Sequence, residues 1–409
     1  MAMKTKGRFG SISKDFFYNI LASVILTGVM QVVVYPFLAL KFNNQEYGTL
    51  LTIMGIANTV IVAFGNTLNN VRLIVNNDYE REHLEGDFNG LLFFASLIAV
   101  VFSCMISSLY FRQSIITVIG LAVFVVLGTV RSYYCVEFRL ILDFKKILIQ
   151  NIVGAVGYAV GVAALMGFHI WVIPFILAEL LQLIYVLKNS SLQKERITTT
   201  PVFRMTLIKY IILIFTGLST TLITYLDRLI IYPLLGGNAV TVYTVASFFG
   251  KSLGIVMTPI AGVLLGYYAQ RNFIMTKKKF WSINMIAAAG GVIFVIFSVI
   301  FSPFFTKLLY PTVFEQAAPY IFIANLAATI STVCSLTQSS VLKFAPTWLQ
   351  IIKELVYGIT YVGMGLVLLN AYGLLGFCIA AVAANCTKLI TLYIIGTCLL
   401  YTSDAADEL

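Results

Sequence analysis

The stretch 216–251, TGLSTTLITYLDRLIIYPLLGGNAVTVYTVASFFGK, decides how this chain is read. It belongs to two long apolar runs, 207–234 and 240–266, yet it carries Asp227, Arg228 and Lys251. Near the middle of a spanning helix each such charge costs roughly 2.5–3.5 kcal/mol on insertion scales. Three of them facing lipid would cost on the order of 8–10 kcal/mol, so they are expected to face a protein interior.

The rest of the chain sets that stretch in a membrane. Of its 409 residues, 60% are hydrophobic and 11% charged, and the mean hydropathy is +0.94, which excludes an ordinary soluble domain. Apolar runs of spanning length fall at 16–40, 47–70, 88–110, 114–134, 148–166, 170–187, 207–234, 240–266, 283–306, 318–338, 351–369 and 374–397. Long apolar runs of this kind exclude a barrel, whose strands are short and alternate. The fold expected is an all-α polytopic membrane protein of at least twelve transmembrane helices.

Lys and Arg set the direction. With the N-terminus cytoplasmic, the inner side collects Lys4, Lys6, Arg8, Lys14, Arg72, Arg131, Arg139, Lys343, Lys353 and most other cations. The outer side holds Lys41, Arg112, Lys307 and, if the seventh helix is cut short, Arg228. This is the positive-inside bias, so the net charge of +10 reports topology and not nucleic-acid binding. The segment Arg131 to Lys146 reads as an interfacial turn, and Lys388 as a side chain that snorkels to the head groups. The polar stretch Lys188–Arg204 divides the chain. The expected organisation is an N-terminal six-helix lobe over 1–187, a cytoplasmic linker over 188–206 and a C-terminal six-helix lobe over 207–397. Residues 398–408, CLLYTSDAADE, resemble the in-frame translation of a transposase adapter used in short-read DNA library preparation. The tail 398–409 is therefore set aside, and the natural chain is expected to continue beyond it.

Polar residues recur at helical spacing in four of the runs. Thr216, Thr220, Thr224 and Asp227 share one face with spacings of four, four and three, and Thr244, Ser247, Lys251 and Thr258 answer on the next run. Asn19, Ser23, Thr27 and Gln31 recur every fourth residue in the first run, and the second adds Asn58, Asn66, Asn69 and Asn70. Val34-Tyr35-Pro36 and Ile231-Tyr232-Pro233 form a short internal repeat that places Gln31 opposite Arg228. Such hydroxyls and amides serve as interhelical glue worth about 0.6 kcal/mol each. The charges call for more. One Asp for an Arg and a Lys leaves a cation over, as a path for an anionic substrate would need. Glu179 is an isolated intramembrane acid that fits either a protonatable coupling group or a protonated partner of a polar neighbour.

Enzyme chemistry is not expected. His83 and His169 lack ligand-spaced partners, and the six cysteines show no CxxC pattern, so neither a metal nor a cofactor is expected. No loop is large enough for a catalytic domain.

Asn19-Ile20-Leu21 through Gln31, followed by Phe42-Asn43-Asn44-Gln45-Glu46-Tyr47-Gly48, resembles the first helix and following turn of bacterial O-antigen and capsule-type polysaccharide flippases. These belong to the multidrug/oligosaccharidyl-lipid/polysaccharide exporter superfamily. The likeness continues in Arg131-Ser132-Tyr133-Tyr134, Phe144-Lys145-Lys146, Tyr225-Leu226-Asp227-Arg228, Leu235-Gly236-Gly237, Tyr243-Thr244-Val245-Ala246 and Leu309-Tyr310-Pro311. One departure is Lys41-Phe42, where the family has a Leu-Gly turn. The resemblance implies two six-helix lobes in a V around a central cavity. It also implies alternating access that carries an undecaprenyl-diphosphate-linked oligosaccharide from the inner to the outer leaflet of the bacterial cytoplasmic membrane. The resemblance carries a cationic cavity for the diphosphate onto Arg228 and Lys251; the polar spacing adds Asp227, Gln31, Thr224 and Ser247 as cavity candidates, and Glu179 is the candidate for coupling to a proton or sodium gradient or the membrane potential. Partners would be the lipid-linked glycan, membrane lipids, and the polysaccharide polymerase and export machinery, with the chain acting as a monomer. The alternatives are a multidrug exporter of the same fold and, from another class, a membrane enzyme of glycan assembly.

Overall fold

The computed structural model describes residues 17–18, 20–268 and 275–407. Asn19 and the basic residues Lys4, Lys6, Arg8, Lys14 and Arg271 lie outside them. The described residues are helical with no strand: α1 (Ile20–Lys41), α2 (Asn44–Arg81), α3 (Phe88–Tyr110), α4 (Ile115–Tyr134), α5 (Val136–Leu140), α6 (Phe144–Gly167), α7 (Ile173–Asn189), α8 (Phe203–Thr224), α9 (Leu226–Ala246), α10 (Phe248–Tyr268), α11 (Lys277–Leu309), α12 (Ile321–Phe344) and α13 (Thr347–Asp407). Among them ten helices are long and apolar enough to cross a membrane, which makes this a multi-pass membrane protein. The ten and the expected twelve differ for stated reasons. α7 and α8 are not among the ten, α13 holds two of the expected runs, separated where Gly373 takes φ 59°, and α9 is counted although it holds the end of one expected run and the start of the next, with a turn at Gly236 between them.

Packing forms two units. One contains residues up to Leu38 together with Thr49–Arg228, and the other Ala39–Gly48 together with residues from Leu229 on. The division therefore falls at Arg228, beyond the expected linker at 188–206.

That expected linker is bound into the first unit. Glu137 of α5 accepts hydrogen bonds from Ser190 Oγ (2.6 Å), Ser191 N (2.6 Å) and Ser191 Oγ (2.9 Å). Asn89 donates to the carbonyls of Leu192 and Glu195, and Arg72 grips the Glu195 carboxylate through two nitrogens at 3.0 and 2.6 Å. The guanidinium lies over the Phe88 ring, 4.5 Å from its centroid. Asp87 receives Tyr79 Oη, Thr200 N and Thr200 Oγ1. Arg72 is thus a buried partner of the 190–202 segment, where sequence gave it a topological role only. A bidentate Arg–carboxylate pair away from water is fixed in geometry as well as charge, so α8 is delivered onto α2 by a braced segment and not a free tether.

Within α2, a π-helical turn at Val62–Asn66 lets the backbone bulge, and side chains take up the displaced carbonyls. Tyr210 Oη donates to Phe64 O (2.9 Å) and Thr67 Oγ1 to Val62 O (3.2 Å). A second π turn, Met30–Val34 in α1, precedes Pro36 and absorbs the hydrogen bond that the proline cannot donate.

In the second unit, two of the family-like motifs meet. Asn43 Oδ1 accepts from Glu46 N (2.9 Å) while Glu46 Oε2 accepts from Asn43 N (3.3 Å), a reciprocal capping box that opens α2. It does the work of the missing Leu-Gly turn. Tyr47 is buried, and Gly48 lies against Gly237 so closely that a Cβ there would fall 1.8 Å from Gly237 O. Gly236 turns the chain at φ 77°, ψ −177°, a conformation open to glycine alone. Gln45 Oε1 accepts from Asn238 N (2.9 Å), and Thr241 Oγ1 donates to Asn44 O (2.6 Å). α12 packs against α10, α11 and α13 to form the body of this unit.

Gly48→Ala is expected to destabilise the chain by at least about 1–3 kcal/mol, since the clash is with backbone that cannot rotate away. Asn43→Ala is expected to remove about 1 kcal/mol through the lost cap. Thermal unfolding of the detergent-solubilised variants checks the order of the two.

Candidate functional site

The candidate charges stand beside interruptions in helices. α8 ends at Thr224, and Tyr225 (φ −107°, ψ 10°) leaves the helical path before α9 begins at Leu226. The expected single helix over 207–234 is therefore broken one turn before Arg228, and the four-four-three register does not carry through to Asp227. Thr224 is exposed whereas Asp227 is buried. The side chains of Thr216 and Thr220 lie outside the described residues.

Asp227 occupies the first turn of α9, where the exposed N–H groups and helix dipole favour a carboxylate. Its Oδ1 accepts from Arg228 N at 2.8 Å. Arg228, 9% exposed, donates through Nη1 to the main-chain carbonyl of Leu51 at 2.8 Å, and its guanidinium stands 5.5 Å from the Tyr225 ring centroid. Tyr35 of α1 lies within electrostatic reach of this guanidinium. Gln31 lies one turn earlier, half-buried in the first π turn. Tyr35 is thus an α1 neighbour of Arg228 in electrostatic terms that the polar spacing did not select.

In the second unit, Ser247 separates α9 from α10. Its buried hydroxyl bonds back to Tyr243 O (2.8 Å) and Thr244 O (3.3 Å), a pattern that bends helices and occupies the hydroxyl hydrogen. Lys251 follows in the first turn of α10, its ammonium 5.1 Å from the Tyr243 ring centroid. Gly250 N, one of the donors the new helix leaves open, is met by Asn325 Oδ1 at 2.6 Å, and Asn325 Nδ2 donates to Ser302 Oγ at 2.9 Å. Asn325 is fully buried, so α10, α11 and α12 are tied at the level of Lys251.

Glu179 is not isolated, contrary to the sequence expectation. Arg131 of α4 grips it with Nε on Oε2 and Nη2 on Oε1 (3.2 Å), and the two side chains are 18% and 9% exposed. The partners are 48 residues apart, so no local spacing announces them. Arg139 is likewise held, by Asn69 Oδ1 (2.7 Å) and Asn70 Oδ1 (3.0 Å). Those two asparagines are glue of a charge-assisted kind. Among the described residues no group of three His, Cys, Asp or Glu is placed to hold a metal.

No protein-family model matches the sequence, and no curated protein matches it. Solved structures do share its fold. An inward-facing multidrug resistance MATE family transporter of the MOP superfamily superposes with a TM-score of 0.67 at 12% identity, over 95% of this chain and 96% of its own. The lipid II flippase MurJ, in an inward closed conformation, gives 0.65 at 14% identity over 94% and 86%. The Vibrio cholerae MATE transporter VcmN in its bent form gives 0.58 at 12% over 97% and 98%. The chain therefore has the fold of MOP-superfamily transporters.

Removing the acid of the Arg131–Glu179 pair leaves a cation buried without its partner. Glu179→Gln is expected to lower stability by about 3 kcal/mol or more, with much of the loss recovered in Glu179→Gln/Arg131→Met. Thermal melts of the two variants check this.

Proposed function

We propose that the chain is a transporter that moves a lipid-linked anionic glycan, an undecaprenyl-diphosphate oligosaccharide, from the inner to the outer leaflet. Arg228 is the cation that engages the diphosphate, and Lys251 is a second candidate for that role. One observation carries the reading: in segments of spanning hydropathy, each of these cations sits one turn beyond an interruption in its helix. Discontinuous helices are where transporters place polar ligand contacts, because the break frees backbone groups and admits water. The net charge agrees. Asp227 is the one carboxylate of the 216–251 stretch against two cations, which suits a diphosphate. Glu179, locked to Arg131, fits a structural role better than a coupling one.

The lipid II flippase among the structures of this fold supports a lipid-linked substrate. The multidrug transporters of the same fold support the second reading, export of small molecules. Cationic drugs would favour acids where this chain carries Arg228 and Lys251, which places the glycan first.

Two measurements separate the readings. Arg228→Ala and Lys251→Ala are expected to abolish surface-glycan export while inserting normally, and deletion of the gene is expected to accumulate unpolymerised lipid-linked repeat units. Full surface polysaccharide in both variants contradicts the role of these cations. A deletion strain that becomes drug-sensitive with normal glycan supports the exporter instead.

A further inference from the structure

Over 347–397, α13 carries three charged residues, Lys353, Glu354 and Lys388. Topology and snorkelling were the sequence explanations for the two lysines. The structure gives them different surroundings. The Lys353 side chain is 3% exposed and pairs with Glu354 Oε1 at 2.8 Å. Lys388, from the half of α13 beyond Gly373, rests its ammonium 4.6 Å from the centroid of the Tyr357 ring. Among the described residues it forms no ion pair. Glu354, Cys334 and Lys353 are the ionisable groups within its electrostatic reach.

The frame around this ammonium is fixed. Tyr357 is 5% exposed, donates from Oη to Asn385 Oδ1 at 3.4 Å, and packs against Tyr361. Asn385 Nδ2 donates to Ala381 O (2.8 Å), and Cys334 Sγ to Asn385 O (3.6 Å), which ties α12 to both halves of α13. Glu354 is 38% exposed and gives the cluster an open side.

Two ammonium groups and one carboxylate leave one positive charge unmatched inside a membrane-spanning element. A ring face returns less to a desolvated cation than the cation loses on leaving water. An anion is the missing partner. Lysine is a point-charge binder of phosphate, and a ligand that reaches this depth must bring an apolar body with it.

We propose that Lys353 and Lys388 form an anion site in the second unit that takes the phosphate group of a phosphorylated lipid. Two sources share this chemistry: a polyprenyl diphosphate, which rests on the function proposed above, and a bilayer phospholipid, which does not. Glu354 competes with the ligand for the same ammonium groups and sets the affinity.

The test uses the purified full chain in neutral detergent, with lipid adducts counted by native mass spectrometry. The probes are farnesyl diphosphate, phosphatidylglycerol and inorganic diphosphate, with phosphatidylcholine as the zwitterionic reference. Lys388→Met is expected to weaken the preferred phosphorylated probe about tenfold, the loss of one charge-assisted contact. Lys388→Arg is expected to retain binding, and Glu354→Gln to strengthen it several-fold, a gain that a structural lysine would not produce. Preference for farnesyl diphosphate supports the site and the substrate together. Preference for phosphatidylglycerol supports the site while removing it from the substrate path, and preference for inorganic diphosphate alone contradicts the lipid assignment. Unchanged affinity in Lys388→Met and Glu354→Gln for every probe overturns the proposal.

Discussion

The constraint behind every feature of this protein is that the bilayer interior offers no partner to a charge or an open backbone group. Each must be answered from within the chain. Arg131 is answered by Glu179, Arg139 by the amide oxygens of Asn69 and Asn70, and Arg72 by Glu195 together with the Phe88 ring. Arg131 and Arg72 pair with carboxylates and Arg139 with neutral amide oxygens, and all three tie helices of the first unit together. Arg228 is buried too, donating to the main-chain carbonyl of Leu51 and standing beside the Tyr225 ring. Lys388 likewise rests on an aromatic ring, that of Tyr357.

Backbone satisfaction explains the other half of the design. An interrupted helix exposes donors and acceptors, and the chain supplies a side chain for each opening. Asn325 meets Gly250 N, Tyr210 meets the Phe64 carbonyl, and the Asn43–Glu46 box closes the start of α2. Gly48 against Gly237 is the complementary device, two helices brought so near that no side chain fits between them. The motifs Glu46-Tyr47-Gly48 and Leu235-Gly236-Gly237, far apart in sequence, are two sides of one contact.

Much of the fold was legible. The apolar runs located the helices, and the glycine at 373 falls in the short gap between two expected runs. What stayed hidden depends on pairing across helices. Nothing in the spacing around Glu179 points to Arg131, and nothing near Glu195 points to Arg72 123 residues earlier. Counting both arginines as topological signals was reasonable from sequence, because the positive-inside bias and a buried ion pair look alike in one dimension. The breaks at Tyr225 and Ser247 were also invisible. Neither position carries proline or glycine, and the proline nearby, Pro233, lies inside α9. Of the candidate site, Arg228 and Asp227 are buried, while the stripe drawn through Thr224 assumed a continuous helix that the chain does not form.

The proposed transport of a lipid-linked diphosphate fits the fold, the interrupted helices and the positions of Arg228 and Lys251 beside those interruptions. Its direct test is reconstitution of the purified chain into liposomes bearing a fluorescent polyprenyl-diphosphate oligosaccharide in both leaflets, followed by a membrane-impermeant quencher. The account predicts that quenching passes the outer-leaflet fraction and approaches completion only when the protein is present. Quenching that stops at the outer-leaflet fraction with or without protein, under an imposed proton gradient, sodium gradient or membrane potential, would contradict it.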